Sequence, residues 1–397
     1  MNTMAQLDGN LDDPFLLLLR KQAIQIRERQ GVPFSQSKGA QDWPKRLLNR
    51  PSPIEFQQII ERHLPVLIDE CLADRPGLAN WKDTSYLKSR MGPDRDVVVA
   101  ITPDGRADDL ITHPELHEPV FALPLEENMP FSELLDRLAT QTQAKSDTIA
   151  YLQSQNSNLR VQDYGDLSPL LQDLEIDTNL DASDAGSKKR SDLVWATEAI
   201  GYAPEATNLW IGTSASRTSM HRDYYENLFT VVRGWKEFTL YPPTESYFLC
   251  DDEEYPVYKY VKDQGQLKLE RDAEGSTTRW IPIDPTLPTS ADRNAPFVHR
   301  DLNLSAKESM PSREHTYQTK YGYALPALRI RVHEGETLYL PSGWFHHVAQ
   351  QQDQQLVDMD GHGVVDRGLC LCLNWWYEIS DDVAIQLEET NLTVPIG

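Results

Sequence analysis

The chain has 397 residues, 40% of them hydrophobic, enough to bury a full core as one large domain or two smaller ones. Its 38 Lys and Arg against 61 Asp and Glu leave a net charge of −23. That field repels phosphate backbones and attracts cations, so direct nucleic-acid binding is not expected and a basic protein segment is the better partner.

Four cysteines occur, at 71, 250, 370 and 372, and the last two are spaced for one face of a strand rather than for a zinc knuckle or a redox pair. A reduced compartment follows as the expectation. Near the N-terminus the apolar run Phe15-Leu16-Leu17-Leu18-Leu19 is too short to span a membrane and lacks the layout of a cleavable signal. It reads as one face of an amphipathic helix, and the expected location is the cytoplasm, with access to the nucleus.

The first ninety or so residues read as helical, broken at Gly31-Val32-Pro33 and at Arg50-Pro51-Ser52-Pro53, where Ser52 and Pro53 open a helix running to Glu61. From Val97 to Thr102 the residues turn β-branched and end at the turn Pro103-Asp104-Gly105. Phe131 to Ala139 and Ala196 to Gly201 read as helical inserts, and Asp181 to Arg190 as a small, polar loop. Short strands then crowd 207–241 and 328–377, the density of an antiparallel sandwich or barrel. The expected division is a helical segment over 1–94, a β domain over 95–380 and a tail over 381–397. Within the tail, Asp382 to Glu388 reads either as a helix pairing with a second copy or as one packing on its own domain.

Chemistry enters with His221 and Asp223, two residues apart, and with a third candidate in Trp344-Phe345-His346-His347. Two histidines and one carboxylate form the facial triad of a non-haem Fe(II) oxygenase, which leaves three coordination positions open. Side chains two apart on a strand share a face, so His221 and Asp223 point the same way if that segment is extended. By the same alternation Lys236 shares its face with Phe238 and Leu240, where an ammonium is costly unless paired. An anionic ligand inside the barrel would supply the partner. In Leu369 to Tyr377 the leucines take one face and Cys370, Cys372 and Asn374 the other, suited to a polar wall. Each has a bland alternative: Lys236 snorkels at an edge, and Asn374 only satisfies backbone.

Competing motifs fall away. His221-Arg222-Asp223 has three residues before Asn227 where a kinase catalytic loop needs four, and neither a glycine-rich loop nor DFG accompanies it. Gly361-His362-Gly363 opens no helix and reads as a loop. His113, Glu115, His117 and Glu118 surround Pro114 and read as a solvated loop rather than a metal site. The acidic run Asp251-Asp252-Glu253-Glu254 either draws a cationic substrate or is a solvated face.

Taken in order, His221-Arg222-Asp223, Asn227, Gly234-Trp235-Lys236, Tyr241-Pro242-Pro243, Leu340-Pro341, Trp344-Phe345-His346-His347 and Asn374-Trp375-Trp376-Tyr377 resemble the landmarks of JmjC-domain 2-oxoglutarate oxygenases. The stretches Ala100 to Asp108, Tyr151 to Asn156, Tyr224 to Leu228 and Trp280 to Pro285 extend the resemblance from about residue 50 to the C-terminus, toward the protein lysyl hydroxylases of that family. It implies an α+β fold: a double-stranded β-helix (jelly-roll, cupin-like) core with N-terminal and flanking helices. It also implies Fe(II) on His221, Asp223 and His346, with His347 turned away, and O₂ as the oxidant. Lys236, fifteen residues after the first ligand, would hold the far carboxylate of 2-oxoglutarate, and Thr218, Tyr151, Asn227 and Asn374 would line the cosubstrate pocket. The implied reaction is C-3 hydroxylation of a lysine in a translation-associated, developmentally regulated GTP-binding protein. Demethylation of methyl-lysine or methyl-arginine and a non-catalytic binding module are the alternatives. No chromatin-reading finger accompanies the domain, and the intact triad with Lys236 weighs against lost catalysis.

Overall fold

A computed structural model describes residues 14–33, 43–141, 147–153, 157–160, 165–177, 189–288, 291–294, 320–353, 356–357, 364–366 and 368–379. Eleven strands build the two sheets around the site: β1 (Lys45–Leu47), β2 (Val66–Asp69), β3 (Arg106–Ala107), β4 (Ala206–Gly212), β5 (Arg217–His221), β6 (Tyr225–Arg233), β7 (Trp235–Tyr241), β8 (Leu328–His333), β9 (Glu336–Leu340), β10 (Phe345–Gln351) and β11 (Cys370–Glu378). One sheet runs β1-β2-β9-β6-β11-β4 and the other β8-β7-β10-β5-β3. From β4 to β11 the chain alternates between the sheets except at β7 to β8, where residues 242–327 intervene, and every neighbouring pair in this series is antiparallel. This is the winding of a double-stranded β-helix, the expected jelly-roll core.

Alternation decides which side chains fill it. On β11, Leu371, Leu373, Trp375 and Tyr377 pack outward, while Cys370 and Cys372 turn inward with Phe229 and Val231 of β6 and Phe238 and Leu240 of β7. The outward face is covered by helices, including Leu134, Leu135 and Leu138 from Phe131–Thr140 and Trp195 from Val194–Ile200, close to the inserts expected over Phe131 to Ala139 and Ala196 to Gly201. The larger sheet is thus buried on both faces, which explains the near-continuous apolar run of β11.

The N-terminal region departs from the expected helical segment over 1–94. Helix α1 (Pro14–Gln30) and helix α2 (Pro53–Arg62) are present, the latter opened by a capping box between Ser52 and Glu55. Yet β1 and β2 lie between and after them and extend the larger sheet, β2 pairing with β9 in antiparallel register. Strands of three and four residues carry too little pattern to be read from sequence. Helix α1 is fastened by Arg27, whose guanidinium meets Glu245 at 3.2 Å and the Pro326 carbonyl at 3.1 Å, and the other Glu245 oxygen accepts from Leu325 N. Both side chains of the pair are fully buried.

Among the described residues no helix is long and apolar enough to cross a membrane. Of the loops read from sequence, Asp181 to Ser187, Gly361-His362-Gly363 and the segment Asp382 to Glu388 with its dimer reading lie outside the described residues, and Lys189–Arg190 forms a short strand instead.

Candidate metal centre

His221, Asp223 and His346 converge. Their donor atoms lie within 4.8 Å of one another, with His221 Nε2 3.9 Å and His346 Nε2 3.6 Å from the Asp223 carboxylate oxygens. Among the described residues this is the group of three or more His, Cys, Asp or Glu side chains placed to hold a metal.

Three local features bring it about. His221 of β5 and His346 of β10 are register partners across an antiparallel pair, which sets their rings 4.1 Å apart. Between Thr218 and His221 the register shifts, two residues on β5, Ser219 and Met220, facing one on β10, His347. Without that bulge, Thr218 and His221 would point to opposite faces; with it, both line the same cavity. Asp223 sits just past the end of β5, not within a strand as the alternation reading assumed, and its carbonyl accepts from Gly343 N at 2.7 Å. That bond ties the turn before β10 to the segment carrying the carboxylate.

The histidines are prepared as ligands. His221 Nδ1 lies 2.8 Å from the Ser219 carbonyl and His346 Nδ1 3.0 Å from the Trp344 carbonyl. A carbonyl only accepts, so each Nδ1 carries the proton and each Nε2 keeps its lone pair for the metal. Burial, with His221 beside it, pushes His346 down to about 4, so it stays neutral at any ordinary pH. His347 is on the opposite face of β10, beside Asp284. His347→Ala is therefore expected to keep metal binding within a few-fold of the wild type, whereas His346→Ala should lose it. Titration with Fe(II) or a spectroscopic substitute such as Co(II) orders the two, and the reverse order would mean that the assigned register is wrong.

Inside the triad lies a narrow cavity of about 30 Å³, lined by Thr218, Asn227, Lys236, Asn374 and the rings of Trp210 and Phe238. Lys236 is buried as its strand position requires. Its ammonium donates to Tyr151 Oη at 2.9 Å and lies 5.0–5.5 Å from the ring centres of Phe229, Trp210 and Tyr151. Among the described residues no carboxylate pairs with it. Rings and a neutral hydroxyl recover only part of the cost of burying a charge, so the cavity is built for an anion.

Asn374 Nδ2 donates to Asn227 Oδ1 at 3.3 Å, while Asn374 Oδ1 accepts from Trp210 Nε1 and Asn208 Nδ2. All eight residues singled out from the sequence, Tyr151 included, thus meet at one place. Trp210 and Asn208 escaped the sequence reading, although with Gly212 they fall two apart on one face of β4. Gly212 itself is required there, since a Cβ would come within 2.5–2.9 Å of Gln350 and the Tyr151 ring.

At Thr218, His221 and Asp223 the inner cavity opens into a groove of about 470 Å³, which also contains Asp108, Gln153 and Trp280. Trp280 stacks on His221, with 6.0 Å between ring centres and planes 2° apart. Burial raises Asp108 to about 6. The acidic run is divided: Asp251 pairs with Arg222 at 2.5 Å, whereas Asp252 and Glu254 are exposed to solvent. His113 Nδ1 accepts from Glu115 N and Leu116 N, capping a turn rather than binding a metal.

Comparison with known proteins agrees with this geometry. A model of the cupin-like domain family matches residues 51–383. The human bifunctional peptidase and (3S)-lysyl hydroxylase JMJD7 is 31% identical over 84% of this chain and 83% of its own length. The lysine-specific demethylase JMJ32 of Arabidopsis thaliana is 32% identical over 85% and 82%, and JmjC domain-containing protein E of Dictyostelium discoideum 29% over 84% and 83%. With a jelly-roll core, a convergent His-Asp-His triad and this extent of similarity, the chain belongs to the cupin-like JmjC domain family, whose members are Fe(II)- and 2-oxoglutarate-dependent oxygenases.

Proposed function

We propose that the protein is a protein lysyl hydroxylase, with His221, Asp223 and His346 holding Fe(II) and Lys236 binding the far carboxylate of 2-oxoglutarate. The observation that carries the oxygenase part is the buried Lys236 ammonium, facing the triad's cavity with no carboxylate beside it among the described residues. A dicarboxylate chelating the metal at one end completes that charge at the other. When bound, iron and 2-oxoglutarate supply O₂ activation, with succinate and CO₂ as products and oxidation of an unactivated C–H bond.

The chain's own residues do the rest. The carbonyl-anchored histidines fix the metal's approach, Asn227 and Asn374 polarise the cavity wall, and Trp210 and Phe238 keep water out.

Lysine as the target is supported by the similarity to the human relative named as a (3S)-lysyl hydroxylase and by the chain's net charge of −23. A translation-associated GTPase of the developmentally regulated class is the proposed protein substrate, which would place the enzyme in the cytoplasm with access to the nucleus. A second reading, demethylation of methyl-lysine, has the similarity to the Arabidopsis relative behind it. Mass spectrometry separates them: gain of one oxygen on an unmodified lysine, matched by succinate formed, supports the hydroxylase, whereas loss of a methyl group without that product sinks it.

A further inference from the structure

The groove outside the triad is where a target side chain must lie to reach the metal. One wall is apolar, made by Val98, Ala100, Phe121 and Leu123, and the groove also holds charged groups. Most of these are already engaged: Glu126 pairs with Lys259 at 3.3 Å, Arg222 with Asp251, and Asp223 faces the metal position. Asp108 is left. Its Oδ2 accepts from Gln153 Nε2 at 3.1 Å, and among the described residues no cation pairs with it and nothing donates to Oδ1.

The position is a built one. Asp108 adopts a left-handed backbone (φ 53°), directly after β3, whose Ala107 is in register with Thr218 of β5. Its carbonyl accepts from Ser219 Oγ at 2.6 Å, and Ser219 Oγ in turn accepts from Trp280 Nε1, the ring stacked on His221. The backbone that carries the carboxylate is thereby tied to the strand that carries the first ligand, and Gln153 orients the carboxylate itself, near enough to interact electrostatically with His221.

We propose that Asp108 is the residue that selects the target side chain: its carboxylate receives the side-chain ammonium of lysine, whose methylene stem lies along the apolar wall. The assignment rests on the lysyl reading above and adds the group that enforces it. A primary ammonium offers N–H donors to Oδ1, a trimethylammonium offers none, and an apolar isostere leaves a desolvated carboxylate without a partner. The groove therefore favours unmodified lysine over both.

The test uses the full chain with Fe(II) and 2-oxoglutarate and peptide libraries fixed at the centre as lysine, norleucine or trimethyl-lysine, read by mass spectrometry. Asp108→Asn keeps the side chain's shape, and Asn tolerates the left-handed backbone. The expected result is a fall of about tenfold or more in kcat/KM on lysine-centred peptides, mostly in KM, with the preference for lysine over norleucine collapsing. Retained kcat/KM and retained preference, both within about twofold, would overturn the assignment while leaving the lysyl reading intact. A wild type that oxidises no lysine in any library overturns that reading and this assignment with it. Should the variant fold poorly, the wild type decides alone: equal use of norleucine rules Asp108 out as the selecting group.

Discussion

His221→Ala and Asp223→Ala are each expected to abolish 2-oxoglutarate turnover, by at least about 100-fold, since even the loss of a group that only orients a metal ligand commonly costs 10- to 100-fold. Removing His221 takes away an Nε2 that the Ser219 carbonyl holds in its ligating tautomer. Removing Asp223 takes away the anionic ligand and leaves two neutral histidines, a weaker site for a divalent ion. Neither side chain is packed in the core, with 15% and 20% of their surfaces exposed, so the fold should survive and Tm should move by only a few degrees. Succinate formation and metal content by elemental analysis are the measurements. Undiminished turnover in either variant would refute the assigned centre.

Lys236→Met should separate ligand binding from stability. The ammonium sits among Phe229, Trp210 and the Tyr151 hydroxyl with no carboxylate partner among the described residues, and replacing such a buried charge by an apolar side chain of similar volume is commonly neutral or stabilising. The ligand-free variant should therefore melt at the wild-type temperature or above it. Affinity for 2-oxoglutarate should fall roughly 10- to 100-fold, the equivalent of about 1.5–3 kcal/mol for a lost charge-assisted hydrogen bond. Calorimetric titration with 2-oxoglutarate and a thermal melt on the same sample give both numbers. A destabilised variant with unimpaired 2-oxoglutarate binding would show that Lys236 is structural.

How far the site could be read from residues alone depended on range. The face of Lys236 followed from strand alternation, because the period of two is a property of the backbone, and the inward turn of Cys370 and Cys372 followed for the same reason. The choice of His346 over His347 came from family resemblance, and the register of β10 with β5 supplies its physical cause. Tyr151 reaches Lys236 from 85 positions away, a contact that no local pattern encodes. Asp108 was hidden likewise, since its place in the groove depends on contacts with Gln153 and Ser219, 45 and 111 positions away. The bulge between Thr218 and His221 left no signature either, and it decides the aim of both side chains. In the N-terminal region the helices had capping and apolar spacing to announce them, whereas β1 and β2 exist only because the edge of a sheet was there to receive them.

The Arg27–Glu245 pair carries a practical consequence for anyone trimming this molecule. The family match starts at residue 51, and a shortened chain starting there would look complete by similarity. It would nevertheless strip Glu245, in the stretch between β7 and β8, of the guanidinium that neutralises it, and breaking a buried pair by removing one partner costs about 3–5 kcal/mol. Poor yield from such a fragment would say nothing against the catalytic assignment; the leading helix is a keystone for a region more than two hundred residues downstream.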